Sequence, residues 1–510
     1  MLSRISAGIL LLIGATVPAY AQDFTPSWGM GVTATYDTNI GLSSFNEQSG
    51  MVLQVSPYYT LQRSGGRAST TFTYAPQAVI YPDGTYPDQF WQYLSASSNI
   101  EVIRRFFYLN VYTAAQPNIV NPRQAVGGLS GVTNTNPNNL SQTFVFGITP
   151  TFTFSVGPRR YATVSISPGI NYAYNSRGDV GNYGATNSSI SITSGPYFSR
   201  MPWSLTYSGS FLNNQQNNRF QSTTGTVSYV FNQKWRAYLN LIYDNNSYRS
   251  TSSTSGLGWQ AGLSWTPTTR TSITAGYGDR YYGAWPTLTL THQSGHTAWS
   301  ASWTSTVQNV RQQQLNQQLF PVTDAFGNPV LNPVTQQQLL LPIGTPALIN
   351  SVYESNNLSA RVSTNWTRTP ASLSVNYYQT KYQDLALDTD DYTIYGTIGR
   401  DISRRTSLNL SVQWWEHTEQ NVSPVNYTQK LASVYIQHNI TRHLSSQLGY
   451  TFTKRSANNP LDQYDDNQVF LTFVFSRGGG TGTASTGGRA GLGVGGPGGY
   501  VASPTGYTGR

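Results

Sequence analysis

Residues 467–475 read NQVFLTFVF. Successive side chains of an extended strand point to opposite faces. Val469, Leu471, Phe473 and Phe475 therefore share one face, and Gln468, Phe470, Thr472 and Val474 share the other. One face is wholly apolar and the last residue is aromatic. Taken alone, the stretch fits the edge of a soluble sheet as well as a barrel strand. The rest of the chain decides between them. Late in a chain of similar runs, such a strand closes a barrel by pairing with the first strand, which removes the open edge. Val469, Leu471, Phe473 and Phe475 are the expected closure residues.

The rest of the chain repeats the pattern. Twenty-two extended runs lie between 28–36 and 467–475, and most alternate apolar with polar or small residues. Trp28, Met30, Val32, Ala34 and Tyr36 share a face in the first run. Trp235, Ala237, Leu239, Leu241 and Tyr243 do so in a central one. The connections alternate in length. Those at 37–50, 116–141, 175–187, 245–255 and 308–355 are long; those at 157–159, 232–234, 368–369 and 441–442 are short. Short turns at one end and long loops at the other are the layout of an outer-membrane barrel. An even strand count brings both termini to the short-turn, periplasmic end. The expected fold is all-β: one closed antiparallel transmembrane barrel of about 22 strands over residues 22–475.

Charge sorts along the same axis. Of 21 acidic residues, 18 fall near the long loops, leaving Asp23, Glu101 and Asp401 at the other end. Arg63, Arg67, Arg104, Arg105, Arg159, Arg160, Arg200, Lys234, Arg236 and Arg270 cluster at the short turns. So do Arg368, Arg400, Arg404, Arg405, Arg442 and Arg477. The net charge of +9 is thus polarised rather than gathered into a nucleic-acid-binding patch, and no nucleic-acid partner is expected. Only 10% of the 510 residues are charged, against about 25% in an ordinary soluble protein, while 13% are aromatic. Cysteine is absent, which excludes disulfides and thiolate metal sites.

Arg4, the apolar run 9–17 and Ala19-Tyr20-Ala21 make a secretory signal over residues 1–21, so export is expected. The apolar run is well short of the roughly 20 residues of a spanning helix. Only a few residues separate the cleavage site from the first strand, so no dedicated plug domain is expected. Segment 308–355 is too long for a simple turn and either folds into the lumen or stands outside as a loop. Residues 476–510 hold 14 Gly in 35 residues and read as a disordered tail. Pro57, Pro76, Pro150, Pro168 and Pro196 fall inside apparent strands, where a missing donor calls for a bulge or a bend.

The polar face of the strands predicts the lumen lining: Thr33, Thr35, Tyr238, Asn240, Gln260 and Ser264 from the first half of the chain, and Asn409, Ser411, Gln413, Ser445, Gln447 and Thr451 from the second. Neutral hydroxyls and amides suit an uncharged hydrophilic solute such as a glycan, although any water-filled barrel needs a polar interior. An enzyme is not expected. Of five His, only His417 sits at the long-loop rim beside carboxylates, Glu416 and Glu419, and a solvated rim explains it. The groups Asp388/Asp390/Asp391 and Asp462/Asp465/Asp466 read as loop acids rather than a cation site, so no metal or cofactor is expected.

Tyr36-Asp37-Thr38-Asn39-Ile40 resembles the opening of barrel porins found beside exopolysaccharide gene clusters. The stretch 278–283, GDRYYG, with 288–292, 297–307, 336–342 and 358–378, resembles the barrel family associated with the PEP-CTERM and exosortase system. The resemblance implies a Gram-negative outer-membrane location and a link to envelope polysaccharide; it carries over no catalytic residue. Expected partners are outer-membrane lipid and lipopolysaccharide, the barrel-assembly machinery and a polysaccharide. The expected function is a channel for passive passage or export of envelope or exopolysaccharide material. The competing expectation is a structural barrel with an occluded lumen that anchors a partner.

Overall fold

The computed structural model describes residues 24–478 except 121–136, 159, 179, 214–216, 310, 312–350, 367, 385–386 and 421–423. The signal segment, all of the tail beyond 478 and nearly all of the 308–355 connection lie outside the described residues. One sheet contains every strand. The segments Gly283–Ala284 and Thr287–Gln293 both pair with Thr271–Arg280, so they are two parts of one interrupted strand and the ring has 22 strands. Every pairing is between antiparallel neighbours. The first strand, Phe24–Asp37, pairs with the last, Tyr464–Gly478, from Ser27 opposite Gly478 to Asp37 opposite Gln468. The barrel is closed.

The stretch 467–475 is the middle of that last strand. Val469, Leu471, Phe473 and Phe475 are between 36% and 50% exposed, whereas Gln468, Phe470 and Thr472 are at most 2% exposed. The apolar face points out of the barrel and the opposite face points into it. The same alternation holds around the ring: Leu239, Leu241 and Tyr243, then Leu408, Leu410 and Val412, stand exposed on the outer face. A continuous exposed belt of this kind is stable only in hydrocarbon. A closed ring is also the only sheet that satisfies its backbone there. The chain is an outer-membrane barrel, as the sequence leads one to expect.

Each of the 22 runs corresponds to one strand, and most ladders extend beyond the run at the long-loop end. The run at 405–416 becomes Thr406–Gln420, and 443–453 becomes Leu444–Ala457. Backbone pairing continues where the outer side chains have turned polar, because the ladder needs partners rather than lipid. The run at 188–199 is displaced. Its strand is Tyr183–Ser194, and Pro196–Phe198 forms a 3-10 turn with Pro196 at its start.

The remaining four strand prolines are opposed in pairs. Between Val55↔Ala78 and Tyr59↔Tyr74 the register is unchanged, which sets Pro57 opposite Pro76. Between Ile148↔Ile170 and Phe152↔Ile166 it sets Pro150 opposite Pro168. Pairing is interrupted for three positions at each site, the result expected when one doubly bonded pair loses both donors. No bulge forms. Opposing two prolines confines both missing donors to one gap and keeps the ladders to the outer neighbours intact, as at Met30↔Pro57 and Pro76↔Gln92. Across the second gap, Thr151 and Ser167 join their hydroxyls at 2.9 Å on the inner side.

On the inner face, near the long-loop end, lie two apolar clusters. Ile40, Val52, Val79, Tyr81, Trp91 and Leu140 form one; Val145, Ala173, Tyr183, Ala185 and Leu212 form the other. Replacing Pro57 and Pro76 together by Val restores two ladder donors at the first gap. A net gain of about 1 kcal/mol in unfolding free energy is expected after the lost proline rigidity is set against it. A raised urea midpoint and new amide-exchange protection at positions 57 and 76 would show it.

Candidate functional site

The inner wall is built of short hydrogen-bonded chains that run sideways from strand to strand. Thr226 donates to Asn240 at 2.8 Å, Asn240 to Gln260 at 3.0 Å, and Gln260 to the Thr287 hydroxyl at 3.1 Å. Thr33 meets Thr472 at 2.9 Å across the closing seam, and Thr451 donates to Ser433 at 3.0 Å. Of the twelve residues expected to line the lumen, all but Ser445 have an exposed apolar neighbour in sequence, as Asn240 has in Leu239 and Leu241. Thr33, Thr35, Gln260, Asn409, Ser411, Gln413, Gln447 and Thr451 are buried; Tyr238, Asn240, Ser264 and Ser445 are partly exposed. Tyr238 projects over Gly262 and Gly276, where a side-chain carbon would collide with its ring or its hydroxyl.

The densest chemistry lies at the long-loop mouth, on the strands nearest the seam. His417 sets Nδ1 2.7 Å from Asp391 Oδ1 and Nε2 3.4 Å from Glu419 Oε1. An imidazolium satisfies both contacts. Trp415 Nε1 donates to the same Asp391 oxygen at 2.8 Å, and Glu419 accepts the Val425 amide at 3.1 Å. The His417 ring stacks on Tyr427, whose ring lies 3.6 Å from the Arg455 guanidinium carbon. Arg455 is almost wholly buried. This corrects the expectation of a solvated rim: residues 415, 417 and 419 fall on the inner face of Thr406–Gln420, where neighbouring strands cover them.

The two motifs that carry the family resemblance also lie at this mouth. Asp37 accepts the Asn39 amide at 2.8 Å and the Gln468 side chain at 3.1 Å. Thr38 N donates to Asn467 O at 3.0 Å, and Asn467 N returns a bond to the Thr38 hydroxyl at 2.9 Å. Asn39 donates to Ser43 O at 2.8 Å and to Asp465 O at 3.1 Å, while Ile40 seats in the first apolar cluster. The motif latches the first strand to the last. In the other motif, Arg280 forms a bidentate pair with Asp244, at 3.0 and 2.6 Å, and lies against the Tyr282 and Trp285 rings. The Tyr281 hydroxyl meets that of Tyr248 at 3.1 Å, and burial pushes the Tyr248 hydroxyl up to about 12, so it stays neutral. Gly283 has φ of +115°, a conformation that suits glycine, at the point where the following strand is interrupted.

Among the described residues the other His and acids lie apart from one another. His417 has both nitrogens engaged by carboxylates, which leaves no free base for a hydroxyl nucleophile. His292, His438 and His443 lie at the short-hairpin end, bonded to Thr271, Thr406 and Ser476 O. Strand alternation separates the acids. Asp391 points in to His417, whereas Asp390 accepts the Tyr377 hydroxyl at 2.7 Å from the outer side. Asp466 faces Gln468 and Asp465 faces Lys454. Among the described residues no three His, Cys, Asp or Glu converge as a metal site. Neither Arg455 nor Tyr427 is among the expected site residues; the alternation that marks Thr451 and Thr453 as inward extends to Arg455.

No family model matches the chain, and no curated protein matches it. Solved structures do. The FrpB iron transporter from Neisseria meningitidis (F3-3 variant) is 11% identical over 88% of this chain and 81% of its own, with a TM-score of 0.51. The siderophore receptor PirA from Acinetobacter baumannii is 9% identical over 88% of this chain and 80% of its own, with a TM-score of 0.49. At such identity the likeness to FrpB is one of fold and carries no cargo with it. Two outcomes test the mouth. Asn39→Ala is expected to cost about 1–3 kcal/mol by opening the seam latch. His417→Ala is expected to cost about 3–5 kcal/mol, because it leaves two buried carboxylates without their cation. Both would appear as a lower temperature for the heat-modifiable gel shift, with His417→Gln recovering part of the loss. What this chain shares with FrpB is the barrel fold.

Proposed function

We propose that the chain is an outer-membrane channel for envelope or exopolysaccharide material, oriented with its short hairpins in the periplasm. One observation carries this reading: between its two ends the inner wall bears rows of hydroxyls and amides, bonded sideways as in Thr226–Asn240–Gln260–Thr287. Such rows exchange hydrogen bonds with a neutral glycan. The sugar hydroxyls and the wall's Ser, Thr, Asn and Gln are donors and acceptors of matching strength. In this reading the twelve wall residues named above border the path.

A competing reading has its own support. Inward-facing residues of the last five strands, from Thr393 through Gln413, Ser433 and Gln447 to Thr472, are buried along much of the wall. A wall covered in this way suits a structural barrel that anchors a partner. Conductance of the full mature protein in a planar bilayer separates the two. The channel reading expects stable unit steps, reduced by added neutral oligosaccharide and lowered at least twofold by Ser264→Trp, which faces the lumen beside Thr274. A folded barrel with no steps at any voltage would leave the structural reading.

A further inference from the structure

We propose that the short-hairpin rim holds the anionic headgroups of phospholipids in the leaflet it crosses. This inference rests on the outer-membrane reading above. Every hairpin at this end, from Arg67 in the first to Arg442 in the last, carries an Arg or Lys at or beside its turn, except 293–297, which carries His296. What selects lipid over a soluble polyanion is the direction of the charges. Arg63 lies 5.2 Å from the outward ring of Phe24, and Arg200 lies 5.6 Å from the outward ring of Tyr229. Arg400 alternates with the outward Ile398, and Arg477 stands opposite the outward Trp28. Among the described residues none of these four joins an ion pair.

Among the described residues the acids at this end face the other way. Glu101 and Asp401 occupy inner-face positions, next to outward Val102 and three residues past outward Ile398. Glu101 accepts the Arg105 amide, and the inward cations Arg236 and Arg361 are bonded to Ser228 and Ser374. The outer face of this rim thus carries Arg63, Arg200, Arg400 and Arg477 with no acid placed beside them on that face among the described residues. The outer face also carries aromatic pairs at the same level: Trp235 and Trp265 stack at 5.3 Å, Trp28 and Phe475 meet at 5.5 Å, and Phe198 meets Trp203 at 5.9 Å. Aromatic rings mark the membrane–water interface, where lipid phosphates lie. A planar guanidinium held beside such a ring presents its remaining donors to a phosphate in a two-point contact. A soluble polyanion entering the lumen would meet none of these four.

The test uses the full mature protein in bilayer discs made from equimolar phosphatidylglycerol and phosphatidylcholine. The lipid retained on purified barrels is then measured against the bulk ratio. The expected result is enrichment of phosphatidylglycerol that weakens as salt rises. The combined Arg63→Gln, Arg200→Gln, Arg400→Gln and Arg477→Gln variant should lose it, at about fivefold per cation removed. Arg236→Gln, whose side chain faces inward, should leave it unchanged. If the combined variant fails to fold, Arg400→Gln and Arg477→Gln alone should each lower the enrichment stepwise. No enrichment, an equal fall in Arg236→Gln, or displacement of the lipid by a soluble acidic polysaccharide would overturn the inference. Absence of enrichment in the native protein with conductance intact sinks this inference alone; a protein that does not insert sinks the outer-membrane reading with it.

Discussion

Hydrocarbon offers no partner to a backbone N–H or C=O, and every other feature of this molecule answers to that constraint. A flat sheet would leave two open edges in lipid, so the first strand must find the last. Eleven aligned positions from Ser27 to Asp37 make that contact. The seam is a long-range pairing in the chain, and side chains reinforce it. Asp37, Thr38 and Asn39 bond to residues of the last strand beyond the regular ladder, where the two strands emerge from lipid. The motif at 36–40 is thus intelligible without any ligand. It holds shut the joint on which closure depends.

The opposed prolines are the exception that the same constraint shapes. Four prolines scattered singly would open four gaps in the wall. Set opposite one another at 57/76 and 150/168, they open two, in unchanged register and without a bulge. The lipid-facing ladder is weakest there, and at the 150/168 gap a pair of inner hydroxyls spans the break.

Polarity along the axis follows from two different environments at the ends. At the long-loop mouth, charges turn inward and pair: Arg280 with Asp244, and His417 with Asp391 and Glu419. Their burial makes each pair costly to break and turns the mouth into a rigid collar. Loops that are not neighbours add to it, as where Thr251 N bonds Gln383 O at 3.0 Å and Arg311 reaches Val180 O at 3.0 Å. At the short-hairpin rim, the four outward cations make no ion pair among the described residues and lie among aromatic rings. The mouth is held by its own ion pairs, and the opposite rim offers its charges to its surroundings.

Alternation within each run was sufficient to determine the strands, their order, and which face of each meets lipid. This is because side-chain direction in a strand has period two and the solvent outside is uniform. Hence the closure face of 469–475 and the inward direction of Asn240 and Gln260 were legible from the sequence. The reversal of long and short connections likewise revealed the two ends. Tertiary structure alone decided what each inward residue touches, since lateral partners depend on register between strands far apart in the chain. A sequence shows Pro57 and Pro76 as separate faults; only the register sets one against the other. It shows His417 between two glutamates at the rim; only the neighbouring strands bring Asp391 to its ring and Tyr427 beneath it, because burial inside a barrel is a property of the closed wall rather than of any one strand.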